Sequence, residues 1–73
     1  MKLVGRIIIV QEDRIRVVDD EGRAYLFIVR KRAAEPETLA LWRDRGVRIE
    51  IEYEGAPDRG AVANSLRSTS STR

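Results

Sequence analysis

The stretch Val47-Arg48-Ile49-Glu50-Ile51-Glu52-Tyr53-Glu54 alternates four apolar residues with four charged ones without interruption. Successive side chains of a strand point to opposite faces, so this segment reads as a strand with one face in a core and the other in water. In a chain of 73 residues, a length that buries only about 60% of the surface its unfolded form exposes, such a strand belongs to one domain with a small core. Earlier segments repeat the theme. Residues 3–10 are rich in β-branched side chains, which favour strands. The run Ile7-Ile8-Ile9 cannot face one side only, which predicts a strand buried on both faces or one bent enough to serve two sheets. Gly5 permits such a bend or a close backbone approach. Gln11-Glu12-Asp13 is a polar break of hairpin length. Residues 14–19 alternate, with Ile15 and Val17 on one face and Arg14, Arg16 and Val18 on the other. Asp19-Asp20-Glu21-Gly22 has the composition of a turn. Residues 23–30 alternate again, with Leu26 and Ile28 sharing one face and Tyr25, Phe27 and Val29 the other.

The period changes after Arg30-Lys31-Arg32. Pro36 suits the first turn of a helix, and Glu35 and Glu37 lie near the positive end of its dipole. Leu39 and Trp42 are three apart, on one helical face, and Gly46 suits the left-handed position after a helix. A helix over 36–45 follows. Residues 55–60 read as a loop with Gly at both ends, and 61–67 as a weaker last strand of small residues. The Ser/Thr-rich tail 68–73 has nothing to bury and is expected to be disordered, which leaves one domain over 1–67.

Three consecutive strands, a helix and two more strands, with a first strand able to pair on two sides, describe an all-β fold. The expected form is a five-stranded OB-type Greek-key barrel with one short helix between the third and fourth strands, Leu39 and Trp42 plugging one end. A small barrel of the Src-homology type is the rival. Its single helical turn comes late in the chain, so the ten-residue helical segment ahead of the fourth strand favours the OB arrangement.

Several chemistries are absent from the composition. The chain has neither Cys nor His, which removes disulfides, thiolate nucleophiles, the commonest general base and the commonest metal ligand. Its serines are Ser65 and those of the tail, its only lysines are Lys2 and Lys31, and residues 55–60 lack the Lys-Ser/Thr of a phosphate-cradling loop. The expectation is a protein that is not an enzyme and holds no metal or cofactor. No apolar run approaches the roughly 20 residues that span a bilayer. The N-terminus lacks a signal-peptide pattern, so a cytoplasmic protein away from membranes is expected.

Charge is unevenly placed. The net charge is +2, but residues 1–34 carry eight Lys or Arg against five Asp or Glu, whereas 35–60 carry four against seven. Twelve of the fourteen cations are Arg, the side chain suited to planar recognition of phosphate or carboxylate; the plainer explanation is a GC-rich genome. Glu50, Glu52 and Glu54 form a solvated acidic strip that repels nucleic acid, so any nucleic-acid face lies opposite it.

Gly5-Arg6-Ile7 opening a strand, Arg16-Val17 in the second, the Asp20-Glu21-Gly22 turn, Gly46-Val47 entering the fourth and Gly60 before the last resemble bacterial translation initiation factor one, as does the overall length. The third strand and Val62-Ala63-Asn64-Ser65-Leu66 are similar to cold-shock proteins. The resemblance covers about residues 3–67 and implies an OB fold that binds RNA or single-stranded DNA. Two departures stand out. Where cold-shock proteins carry an aromatic motif on the second strand, this chain has Asp13-Arg14-Ile15-Arg16-Val17; and Leu26-Phe27-Ile28-Val29, which matches their second motif, lacks its His.

An OB barrel binds single strands on the face of its second and third strands, stacking bases on aromatics and tracking phosphates with cations. The candidate site is Tyr25 and Phe27 pointing outward beside Arg14 and Arg16, extended by Arg6 or Ile8 and edged by Arg30, Lys31 and Arg32. The expected function is weak binding of RNA or single-stranded DNA without strong sequence preference. The alternative is a protein-interaction or structural adaptor that docks through a sheet edge or the Tyr25–Phe27 patch. A further alternative places either ring against the barrel and pairs Arg14 and Arg16 with Glu12, Asp19 or Glu21.

Overall fold

The structure is a computed structural model that describes residues 1–57 and 59–69. Its elements are β1 (Lys2–Gln11), β2 (Arg14–Asp19), β3 (Ala24–Val29), α1 (Pro36–Arg45), β4 (Arg48–Glu54) and β5 (Ala61–Ser68). The strands close into a barrel in the order β1-β2-β3-β5-β4, so the expected five-stranded barrel with one helix between the third and fourth strands is what the chain forms.

Closure depends on β1. Its first half, Lys2 to Arg6, pairs antiparallel with β4, and its second half, Gly5 to Gln11, pairs with β2. The strand serves both neighbours at Gly5, where a Cβ would lie 2.5 Å from the Val18 carbonyl oxygen and 2.8 Å from Val17 Cγ1. No larger residue fits there. The register slips between Ile7 and Ile9, a bulge that puts two residues of β1 opposite one of β2. Ile7 therefore points inward, Ile8 and Ile9 are exposed, and Val10 turns back against the core. The bulge is how a triple isoleucine distributes itself over two faces.

The core comprises Ile7, Ile15, Val17, Phe27, Val29, Leu39, Ile49, Ile51, Tyr53, Ala61 and Ala63. Phe27 and Tyr53 meet edge to face, with centroids 5.2 Å apart. Across the parallel β3–β5 pairing, Phe27 lies opposite Ala61 and Val29 opposite Ala63; small residues on the last strand make room for large ones on the third. Helix α1 covers one end. Leu39 is buried and Trp42 is half-buried against the core, as the plug requires. The helix stops at Gly46, which is left-handed (φ 62°); the N–H groups of Gly46 and Val47 bond the carbonyls of Arg43 and Trp42, the two bonds of a Schellman stop.

Two expectations are corrected. The first is the face of β3. Phe27 is wholly buried and Val29 nearly so, whereas Leu26 and Ile28 are half-buried on the outer wall. Register explains it. Ile15 lies opposite Phe27 and Val17 opposite Tyr25, and directly opposed residues share a face. Once Ile15 and Val17 turn inward, so must Phe27 and Tyr25. The second is the start of the tail. Ser68 ends β5 opposite Ile49, and the Thr69 N–H donates to the Arg48 carbonyl at 2.9 Å, because β4 offers the last strand backbone partners to that point. Residues 70–73 of the expected tail lie outside the described residues.

Candidate nucleic-acid interface

The outer wall of β1, β2 and β3 is built in rows fixed by register. Ile9 lies opposite Arg16, and Arg16 opposite Leu26; Gln11 lies opposite Arg14, and Arg14 opposite Ile28. Each row places one guanidinium beside one β3 aliphatic. Two residues along a strand advance about 6.6–6.8 Å, and continuing β3 outward from Leu26 and Ile28 reaches Arg30 at the same spacing. A cleft of about 200 Å³ is lined by Ile9, Gln11, Arg14, Arg16 and Leu26, with Ile15 beneath. Ile9, which lines it, is 44% exposed, and its neighbour Ile8 is 46% exposed.

Among the expected site residues, Arg6, Arg14 and Arg16 are exposed on this wall, and Arg30, Lys31 and Arg32 are exposed just beyond β3. Arg6 sits opposite Val18 on one side and Arg48 on the other. Phe27 drops out, since a side chain in the core cannot stack on a base. Tyr25 drops out as a stacking platform as well: it is half-buried on the inward-facing side of β3, and its hydroxyl donates to Asp19 Oδ2 at 3.0 Å. The wall therefore carries guanidiniums and aliphatics, with Leu26, Ile28 and Ile9 in place of the expected rings. Placing Tyr25 at Val17 and Phe27 at Ile15 across the turn would have revealed this in the sequence, since the inward face of β2 was already apparent.

Asp19 organises that turn. Its Oδ1 accepts the N–H groups of Glu21 and Arg23, both at 2.9 Å. The Arg23 bond holds the carboxyl below its ordinary 3.8; desolvation opposes it, and the Tyr25 hydroxyl and Glu21 N–H add to it. Tyr25 responds in the opposite sense. The bond to Asp19 holds its proton and raises the phenol above its ordinary 10.0.

The two sides of the barrel differ in how their charges are spent. On the β4–β5 side, Glu50 accepts from Arg67 Nε at 2.7 Å and lies 3.6 Å from Lys2 Nζ, which is also 3.9 Å from Glu52. The Arg67 bond holds the Glu50 carboxyl below its ordinary 4.5, against desolvation. Nearby, Arg48 Nη2 donates to Asp20 at 2.6 Å. On the β1–β3 side, Arg6, Arg14, Arg16, Arg30, Lys31 and Arg32 form no ion pair among the described residues. The alternative pairing of Arg14 and Arg16 with Glu12, Asp19 or Glu21 is not formed. This wall thus has a row of cations with no ion pair among the described residues, over an aliphatic floor. No helix among the described residues is long and apolar enough to cross a membrane. Compared with family models, with curated proteins and with solved structures, the chain matches none of them.

Proposed function

We propose that this barrel is an OB-like module that binds single-stranded RNA or DNA weakly and without strong sequence preference, and that it performs no chemistry of its own. One observation carries this reading: Arg6, Arg14, Arg16, Arg30, Lys31 and Arg32 form no ion pair among the described residues, while Lys2, Arg48 and Arg67 are each paired with a carboxylate. Arg14 and Arg16, and beyond them Arg30 and Arg32, supply charge for phosphates, and guanidinium planes also stack on bases. Leu26, Ile28 and Ile9 give the bases an apolar surface. Without exposed rings on this wall, the roughly 1–3 kcal/mol per base that aromatic stacking supplies is missing, which makes the binding weak and mainly electrostatic.

The test is a fluorescence-anisotropy titration of labelled oligo(U) and oligo(dT) at several salt concentrations. Four phosphates engaged by Arg14, Arg16, Arg30 and Arg32 give a slope of log K against log[salt] near −2.8, at about −0.7 per phosphate on single strands. Removing two with Arg14→Gln/Arg16→Gln reduces that slope to about −1.4. No change in anisotropy across the roughly 10⁻⁴–10⁻⁶ M range of non-specific binding would sink the reading.

A protein-docking adaptor is the second reading, and the side-by-side exposure of Ile8 and Ile9 favours it. A docked second copy related by two-fold symmetry would bring Arg14 and Arg16 near their own counterparts, so this reading calls for an acidic partner. Closure of the barrel leaves exposed aliphatics, rather than a sheet edge, to carry it.

A further inference from the structure

Where β3 ends beside β5, a cleft of about 280 Å³ is lined by Arg30, Arg32, Ala33, Ala63 and Asn64. Three features mark it out. First, no carboxylate lines it among the described residues, a property it shares with the Arg14–Arg16 cleft but not with the two hollows beside Arg67, which both include Glu50. Second, its cations are placed by the backbone. The N–H groups of Ala33 and Ala34 both donate to the Arg30 carbonyl, at 2.8 and 3.3 Å, and this tight turn brings Arg32 back to the hollow that Arg30 borders. Third, space is left by small side chains: Ala33 on the turn and Ala63, buried opposite Val29. Asn64 follows Ala63 and is exposed, offering an amide N–H donor with no charge of its own.

Two guanidiniums and a carboxamide converging on a carboxylate-free hollow form a donor set for a tetrahedral oxyanion, since guanidinium forks match phosphate oxygens. The volume equals about nine waters at ~30 Å³ each, so a bare phosphate fills only part of it and the sugar that carries the phosphate has room. We propose that Arg30, Arg32 and Asn64 form a phosphate-binding pocket at the end of the β3–β5 pairing, occupied by a phosphate of a nucleic-acid strand. This rests on the function proposed above for its source of phosphate, and on the cleft itself for its chemistry. Asn64 is the member that charge-based sequence reading does not find.

The test is an amide chemical-shift titration of the full chain with inorganic phosphate, uridine 5′-monophosphate, uridine and oligo(U), each at matched ionic strength. Phosphate and the monophosphate are expected to shift the amides of Ala33, Ala63 and Asn64, and uridine to leave them in place. Arg32→Gln/Asn64→Ala is expected to weaken the response about tenfold, or about 1.4 kcal/mol. Arg48→Gln, on β4 and outside the lining of the cleft, leaves it unchanged. Both substituted positions of the double variant are exposed, and an unchanged spectrum elsewhere verifies its fold. Silence of the three amides toward phosphate, or an equal response in the double variant, overturns the pocket. Oligo(U) shifting only the Arg14–Arg16 wall also overturns it while leaving the proposed function standing. Phosphate shifting the three amides while oligo(U) shifts nothing upholds the pocket and removes the nucleic-acid reading.

Discussion

Gly5 and Phe27 are the residues on which the barrel geometry depends. At Gly5 the missing side chain lets the β1 backbone close on Val17 and Val18. Gly5→Ala is expected to cost about 1–3 kcal/mol, the usual penalty for forcing atoms into a filled site, and to lower the urea midpoint with little change in slope. Phe27→Ala removes the largest fully buried side chain and its edge contact with Tyr53; the expected loss is about 3–5 kcal/mol. Chemical denaturation distinguishes this from a surface role. An outward-facing Phe27 would tolerate Ala and lose ligand, whereas the buried one loses stability first.

Among the elements, the β2–β3 turn carries groups that respond to pH at both extremes. Asp19 is more acidic in the folded chain than in the unfolded one, so its stabilisation is present above the ordinary 3.8 and is lost as pH falls through the lower native value. Tyr25 behaves in reverse: its raised native value gives stability present below about pH 10 and lost as pH rises through it. Thermal melts across pH should therefore fall away at both extremes. Asp19→Asn should flatten both ends, leaving Glu50 to supply part of the acid slope.

This turn also divides what could be read in the sequence from what could not. Strand periodicity, Pro36 and Gly46 located every element to within a residue or two, because these signals are local. The face of β3 depends on which residue of β2 lies opposite which residue of β3, and a shift of one position exchanges the faces. Leu26 and Ile28 alternate as cleanly as Phe27 and Val29, so local pattern cannot choose between them. The candidate site shows the same division: the exposure of Arg14 and Arg16 follows from local alternation, the faces of Tyr25 and Phe27 do not, and only the parallel β3–β5 pairing brings Asn64 to the cleft that Arg30 lines.

At the scale of the whole molecule, a net charge of +2 hides two unlike walls. Neutralising cations on one wall should affect polyanion binding far more than on the other. Arg14→Gln or Arg16→Gln is expected to weaken oligonucleotide binding severalfold at low salt. Arg67→Gln, which frees the Glu50 carboxylate, is expected to leave binding within about twofold, because Arg67 is already bonded to Glu50. Anisotropy titrations on the three variants make the comparison directly.

The cylinder is fastened unequally around its circumference. Its β3–β5 closure consists of three opposed residue pairs, extended on one side by the Leu26 N–H bond to the Pro57 carbonyl. A ring opens first at its shortest clasp, so amide protons there should exchange with solvent sooner than those between β1 and β2. Arg30, just past the end of β3, and Asn64, on β5, flank the end of that clasp, and an anion gripped by both would act as an extra rivet. Occupancy would then slow unclasping and raise the melting temperature by mass action, making the apparent robustness of this small ring depend on what it carries.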